Sequence, residues 1–163
     1  MDNRLKSYMK DNRLKDVKVV NNEVDFVGLE LDNLHLVVNK NTNLGIYNGY
    51  VGVKKGHRYY GVYYEDVKLK EQVHGGLTYS GYMKYEGFKS DYWYLGFDTA
   101  HLGDYVPNMP VNTEEFIDIV FNELPKGFKE HLQKVMNVEE EFRDVTYVIK
   151  EVIKLAKQLK EGV

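Results

Sequence analysis

The chain has 163 residues, of which 43% are hydrophobic and 29% charged, with a formal net charge of −3. This describes one globular domain, long enough to bury a core of its own, and argues against a general DNA or RNA binder. There is no cysteine, which excludes a disulfide framework, a thiolate nucleophile and cysteine-ligated metal centres, and which fits a reducing compartment.

The opening MDNRLKSYMKDNRLKD carries no apolar core, so no secretory signal is expected. No run approaches the roughly 18 apolar residues that a membrane span needs. DNRLK occurs twice, starting at Asp2 and at Asp11, and residues 1–18 read as a polar N-terminal helix or arm ahead of a single domain over 19–163. From Val24 to Val38 the alternation predicts a β-hairpin with its turn at Asp32 and Asn33. The phase changes within the first arm, and Gly28 is the expected bulge. Ile46 to Val53 predicts a strand, and the glycine- and lysine-rich stretch after it a loop. Val67, Leu69, Glu71 and Val73 share one phase and predict a strand ending at His74. Leu77 to Gly81 reads as short and extended, and Tyr92 to Phe97 as a strong aromatic strand. The last third reads as helical: about Glu114 to Leu124, Phe128 to Met136, and Glu139 to Leu159 with apolar residues three and four apart. Strands followed by helices predict an α+β fold, with a mainly antiparallel sheet over about 23–98 packed against C-terminal helices over about 113–160.

Chemistry-bearing residues concentrate in the middle. Twelve of the 14 tyrosines, the tryptophan and 11 of the 14 glycines lie between Gly45 and Tyr105. His74 to Gly81 reads HGGLTYSG. Paired Gly75 and Gly76 allow close backbone approach, with amides able to cradle an anion, beside His74, Thr78 and the flat ring of Tyr79. A tight turn between strands is the alternative. Trp93 to Tyr105 reads WYLGFDTAHLGDY and sets Asp98, His101 and Asp104 at spacings of three. With His74 these residues could ligate a metal, act as an acid–base set, or serve as ligand contacts and turn caps. Lys54, Lys55 and Arg58 could hold phosphate while Tyr59, Tyr60, Tyr63 or Tyr64 stacks a base, or the stretch could form a solvated loop. Seven basic and seven acidic residues between Gly45 and Tyr105 leave no field for a long polyanion. Arg143, placed at the head of the last helix, either pairs with Glu139 or Glu140 or reaches an anion in the pocket.

The blocks GYVGVKKGH from Gly49, HGGLTYSG from His74, WYLGFDTAHLGD from Trp93 and RDVTYV from Arg143 together resemble a family of small phage-encoded proteins. The resemblance runs from about Gly49 to Leu159, excluding 107–137. Lys54, Lys55 and Arg58 depart from it, standing where prolines are common, and make that loop more basic. The family is similar to phage sponge proteins of the anti-CBASS or anti-Thoeris type. That similarity implies a phage protein in the cytoplasm of a bacterial host. It would sequester a cyclic dinucleotide or related signal without cleaving it, and leaves room for a homo-oligomer.

Residue chemistry places the ligand contacts at His74, Gly75, Gly76, Thr78, Tyr79, Trp93, Asp98, His101 and Asp104, with Lys54, Arg58 and Arg143. No catalytic residue, metal or cofactor is assigned, and neither a membrane nor a long nucleic acid is an expected partner. The alternatives are a nucleotide phosphodiesterase or other hydrolase using the histidines and aspartates, and a protein-binding inhibitor module.

Overall fold

A computed structural model describes residues 16–20, 23–101, 103–108 and 141–161. Six strands form one sheet: β1 (Asp16–Val20), β2 (Glu23–Leu31), β3 (Leu34–Asn41), β4 (Ile46–Val53), β5 (Tyr79–Gly81) and β6 (Trp93–Phe97). They lie in the order β1-β2-β3-β4-β6-β5, and every neighbouring pair is antiparallel. One helix, α1 (Val145–Glu161), covers a face of that sheet. The architecture is α+β, with an antiparallel sheet packed against a C-terminal helix.

The β2–β3 turn falls at Asp32 and Asn33, whose φ angles are 48° and 67°. A two-residue hairpin turn with both central residues left-handed matches the twist of the strands, and Asp and Asn tolerate that region best after glycine. The phase change in β2 comes from Asp25, not Gly28. Lys18 pairs with Phe26 and Val19 with Val24, so Asp25 is the extra residue, while Gly28 pairs regularly with Val37. The bulge sends Val24, Val27 and Leu29 to the helix-covered face and Phe26 to the other. Asp16 to Lys18, expected in an N-terminal helix or arm, belong to β1, so the sheet begins earlier than the predicted residue 23. The rest of that arm, and the helices expected over 114–124 and 128–136, lie outside the described residues.

α1 buries Val148, Ile149, Val152, Leu155, Ala156 and Leu159 against Leu36, Val38, Val51, Leu95 and Phe97. Gly49 permits the close approach: a Cβ there would lie 2.5 Å from Phe97 Cζ and 2.6 Å from Val152 Cγ2. The helix starts later than its sequence period suggests, because Asp144 caps it. The Asp144 carboxylate accepts the Tyr147 N–H at 2.8 Å, and its carbonyl accepts the Val148 N–H at 3.1 Å. Arg143 therefore precedes the helix. Among the described residues no helix is long and apolar enough to cross a membrane.

The strand expected from Val67 to His74 does not form. That segment lies along α1, whose side chains satisfy its backbone. Gln158 Oε1 accepts the Glu71 N–H at 2.8 Å, Gln158 Nε2 donates to the Glu71 carbonyl at 2.9 Å, and Glu151 accepts the His74 N–H at 2.8 Å. Val67 and Val73 are buried, but against the helix-side core. An alternating pattern reports one buried edge of an extended chain and does not say whether a strand or a helix covers it.

The opposite face of the sheet holds a second cluster of Val37, Tyr50, Met83, Tyr92 and Tyr94. Tyr94 is fully buried and its hydroxyl has two partners. It accepts the Lys89 N–H at 2.9 Å and is hydrogen-bonded with His35 Nδ1 at 2.6 Å. Burial pushes its pKa up to about 12, so it stays protonated. Tyr94→Phe removes one hydrogen bond from each neighbour and should cost about 2 kcal/mol. Urea unfolding should show a lower midpoint with an unchanged slope; an unmoved midpoint would mean the hydroxyl contributes nothing net.

Candidate functional site

β6 ends at Phe97, and the chain turns at once. Asp98 Oδ1 accepts the Ala100 N–H at 3.0 Å, the side-chain turn that Asp forms with its own backbone. Thr99 is buried, and its hydroxyl donates to the Tyr47 carbonyl at 3.0 Å, anchoring the loop to β4. Next, Asp104 folds the loop back on itself. Its N–H donates to the His101 carbonyl at 2.9 Å, and its carboxylate accepts the His101 N–H at 3.0 Å. Glu141 N–H donates to the Gly103 carbonyl at 2.9 Å, and Tyr105 N–H to the Glu141 carbonyl at 3.1 Å, which brings Arg143 alongside.

Asp104 is the centre of this arrangement, its side chain only 2% exposed. Beside the His101 amide it takes His74 Nε2 at 2.7 Å on Oδ2 and Arg143 Nε at 3.0 Å on Oδ1. Burial works to raise its pKa. The hydrogen bonds from His74, the His101 amide and Arg143 outweigh that and hold the carboxyl below its usual range. Because a carboxylate only accepts, His74 carries its proton on Nε2. Its Nδ1, 2.9 Å from the Tyr147 hydroxyl, then accepts from that hydroxyl. Arg143 also pairs with Glu141 at 2.6 Å and lies over the Tyr147 ring at 4.8 Å.

His101 differs from its neighbours. Its ring sits edge-to-face on His74 with centroids 5.3 Å apart, directly above Gly75. Gly75 has a φ of 65°, and a Cβ on it would lie 2.2 Å from His101 Cε1. Only glycine satisfies both the backbone and the ring at that position. His101 Nδ1 is buried and has no hydrogen-bond partner, with Asp104 Oδ2 at 3.6 Å and Asp98 Oδ1 at 3.7 Å. On the outer side, Thr78 donates to Asp98 Oδ2 at 3.0 Å.

Thus His74, Gly75, His101, Asp104 and Arg143 form one cluster, with Asp98 and Thr78 at its margin. Gly76 turns with Gly75, and both line a neighbouring open cleft of about 500 Å³ with Tyr64, Gln72, Val73 and Leu77. The other expected contacts lie elsewhere. Tyr79 packs edge-on against Tyr50 in the second cluster. Trp93 donates its indole N–H to the Val62 carbonyl at 3.0 Å and packs against Tyr82. Lys54 lies 5.3 Å over the Tyr92 ring and lines a separate cleft of about 320 Å³ with Asp32, His57 and Lys160. Arg58 covers Tyr59 at 4.8 Å. The segments after His74 and after Trp93 thus meet at Asp104, and Lys54 and Arg58 lie apart from them.

Sequence reasoning offered Tyr64 as one of four tyrosines able to stack a base, and missed Tyr147, Glu151 and Gln72. Asp144, Tyr147 and Glu151 repeat at three and four along α1, a polar stripe beside its apolar one, and that spacing was the available signal. The tyrosine-rich stretch after Arg58 marks Tyr64, which lies in a short 3-10 turn at Tyr64–Asp66. No protein-family model, curated protein or solved structure matches the chain.

Proposed function

We propose that this protein binds a compact phosphorylated nucleotide of the cyclic-oligonucleotide class and holds it without cleavage. In the phage setting that the sequence blocks suggest, such binding would withhold a defence signal inside the bacterial host. The observation that carries the reading is the cleft of about 500 Å³ that Tyr64 lines together with the Gly75–Gly76 turn. Its size lies within the range of small-molecule sites. Tyr64 lies 4.6 Å from the Tyr63 ring at a tilt of 39°, and Tyr63 is 53% exposed, so an aromatic pair suited to contact a base adjoins the cleft. The glycine turn allows a phosphate to approach the backbone closely. Beneath it, the bonds of His74 to Glu151, Tyr147 and Asp104 hold the turn in place, which reduces the ordering cost of binding.

The favoured outcome is binding over hydrolysis because two of the candidate bases, Asp104 and His74, are engaged. Asp104 already accepts three N–H groups, and both ring nitrogens of His74 are bonded. A panel of cyclic di- and trinucleotides and ADP-ribose derivatives tests the reading by thermal shift. A true ligand at 100 times its Kd adds about 2.7 kcal/mol, which for a chain of this size raises Tm by about 5–10 °C. Heat-denatured complex should release intact ligand. A product in its place would make the protein a hydrolase, and a panel without any shift would remove the nucleotide reading.

A further inference from the structure

We infer that His74, His101 and Asp104 form a site for a divalent first-row transition metal of the Zn²⁺ type. One donor atom from each lies within 4.8 Å of the others. Two imidazoles with one carboxylate is a donor set that selects zinc or iron(II) over the hard cations, which prefer all-oxygen ligation. Tetrahedral zinc with bonds near 2.0–2.1 Å places its donors about 3.3 Å apart. The two separations from Asp104 bracket that value, at 2.7 Å for His74 Nε2 to Asp104 Oδ2 and 3.6 Å for His101 Nδ1 to Asp104 Oδ2, and the two imidazole donors lie within 4.8 Å of each other.

An independent observation points the same way. Nδ1 of His101 is buried without a hydrogen bond and faces oxygens of Asp104 and Asp98 at 3.6 and 3.7 Å. A lone pair there meets two carboxylates and is repelled. A proton there finds both oxygens beyond hydrogen-bond reach. A cation beside Nδ1 satisfies the nitrogen and the Asp104 carboxylate together. The outer partners are also those of a metal site: Tyr147 on the far nitrogen of His74, and Arg143 on the far oxygen of Asp104. With metal on Nε2, the single proton of neutral His74 sits on Nδ1 and donates to the Tyr147 oxygen. Three protein donors leave a position for water or a ligand oxygen.

The inference does not depend on the nucleotide reading, because its test uses metal alone. The full chain is stripped with EDTA, dialysed and titrated with Zn²⁺, and separately with Co²⁺ while its visible absorption is followed. One equivalent should bind, raise Tm by several degrees and resist displacement by millimolar Mg²⁺. His101→Ala should lose far more affinity than the 10–100-fold expected when an outer partner is removed, and Tyr147→Phe should fall within that range. His57→Ala, whose ring instead meets the Leu159 carbonyl, should bind as the parent does. Failure of the parent chain to take up a stoichiometric equivalent would overturn the site. So would unchanged affinity in His101→Ala, or equal competition by Mg²⁺.

Discussion

Asp104→Asn should destabilise the fold by about 3 kcal/mol, lowering Tm by roughly 6–12 °C. The replacement keeps the shape but turns one acceptor oxygen into an N–H donor, so a donor then faces His74 Nε2 or Arg143 Nε. The figure belongs at the low end for a broken buried pair, because Arg143 is partly exposed and keeps its contact with Glu141. The effect depends on pH. Asp104 has a folded-state pKa below its unfolded value, so the unfolded chain takes up the proton first as pH falls. The stabilisation is complete above the unfolded value, near pH 4, and disappears as pH drops through the lower folded one. Urea titrations of both chains with chelator present should therefore show a gap at pH 7 that narrows below about pH 4. Equal stability at pH 7 would mean the network adds nothing net.

Gly75→Ala should cost about 2–4 kcal/mol and displace the His101 ring. Part of the cost is backbone: a side chain at a φ of 65° adds about 1–2 kcal/mol. The remainder is steric, since the new methyl would overlap the His101 ring at 2.2–2.6 Å. Gly76→Ala is the internal control. Its φ of 83° brings the same backbone strain, but its methyl would meet only the tip of Gln72, at 3.2 Å. The stability difference between the two variants thus isolates the ring contact. Imidazole NMR signals of His101 should move in Gly75→Ala and stay in Gly76→Ala. Identical losses in both variants, with His101 unmoved, would show that the ring does not rest on Gly75.

The His74, His101 and Asp104 neighbourhood was legible as a set of residue types but not as a geometry. Spacing suggested that Asp98, His101 and Asp104 could face one way on a helical turn, whereas they lie in two successive loop turns, one closed by Asp98 on Ala100 and one by Asp104 on His101. It could not show that Asp104 would be spent on three donors, nor that His101 would keep a buried nitrogen unsatisfied. Tyr79 and Trp93 illustrate the converse error. Both stand in promising motifs, yet the strand register sends Tyr79 into the second core cluster and Trp93 against Tyr82. A motif names neighbours along the chain, whereas a pocket depends on which face of the sheet each one reaches.

By itself, the amino-acid order determined the hairpin and its Asp32–Asn33 turn, strands β4 and β6, the apolar stripe of α1 and the α+β class. These follow from periodicity and turn chemistry, which act over a few residues. Only the tertiary structure decided that residues 67–74 lie along α1 instead of joining the sheet, that Asp25 makes the bulge, and that Arg143 meets Asp104. Each of those outcomes turns on a partner many positions away, such as Gln158 for Glu71. Local propensity carries no term for such a partner, and the free energy that selects it appears only once distant surfaces are buried together.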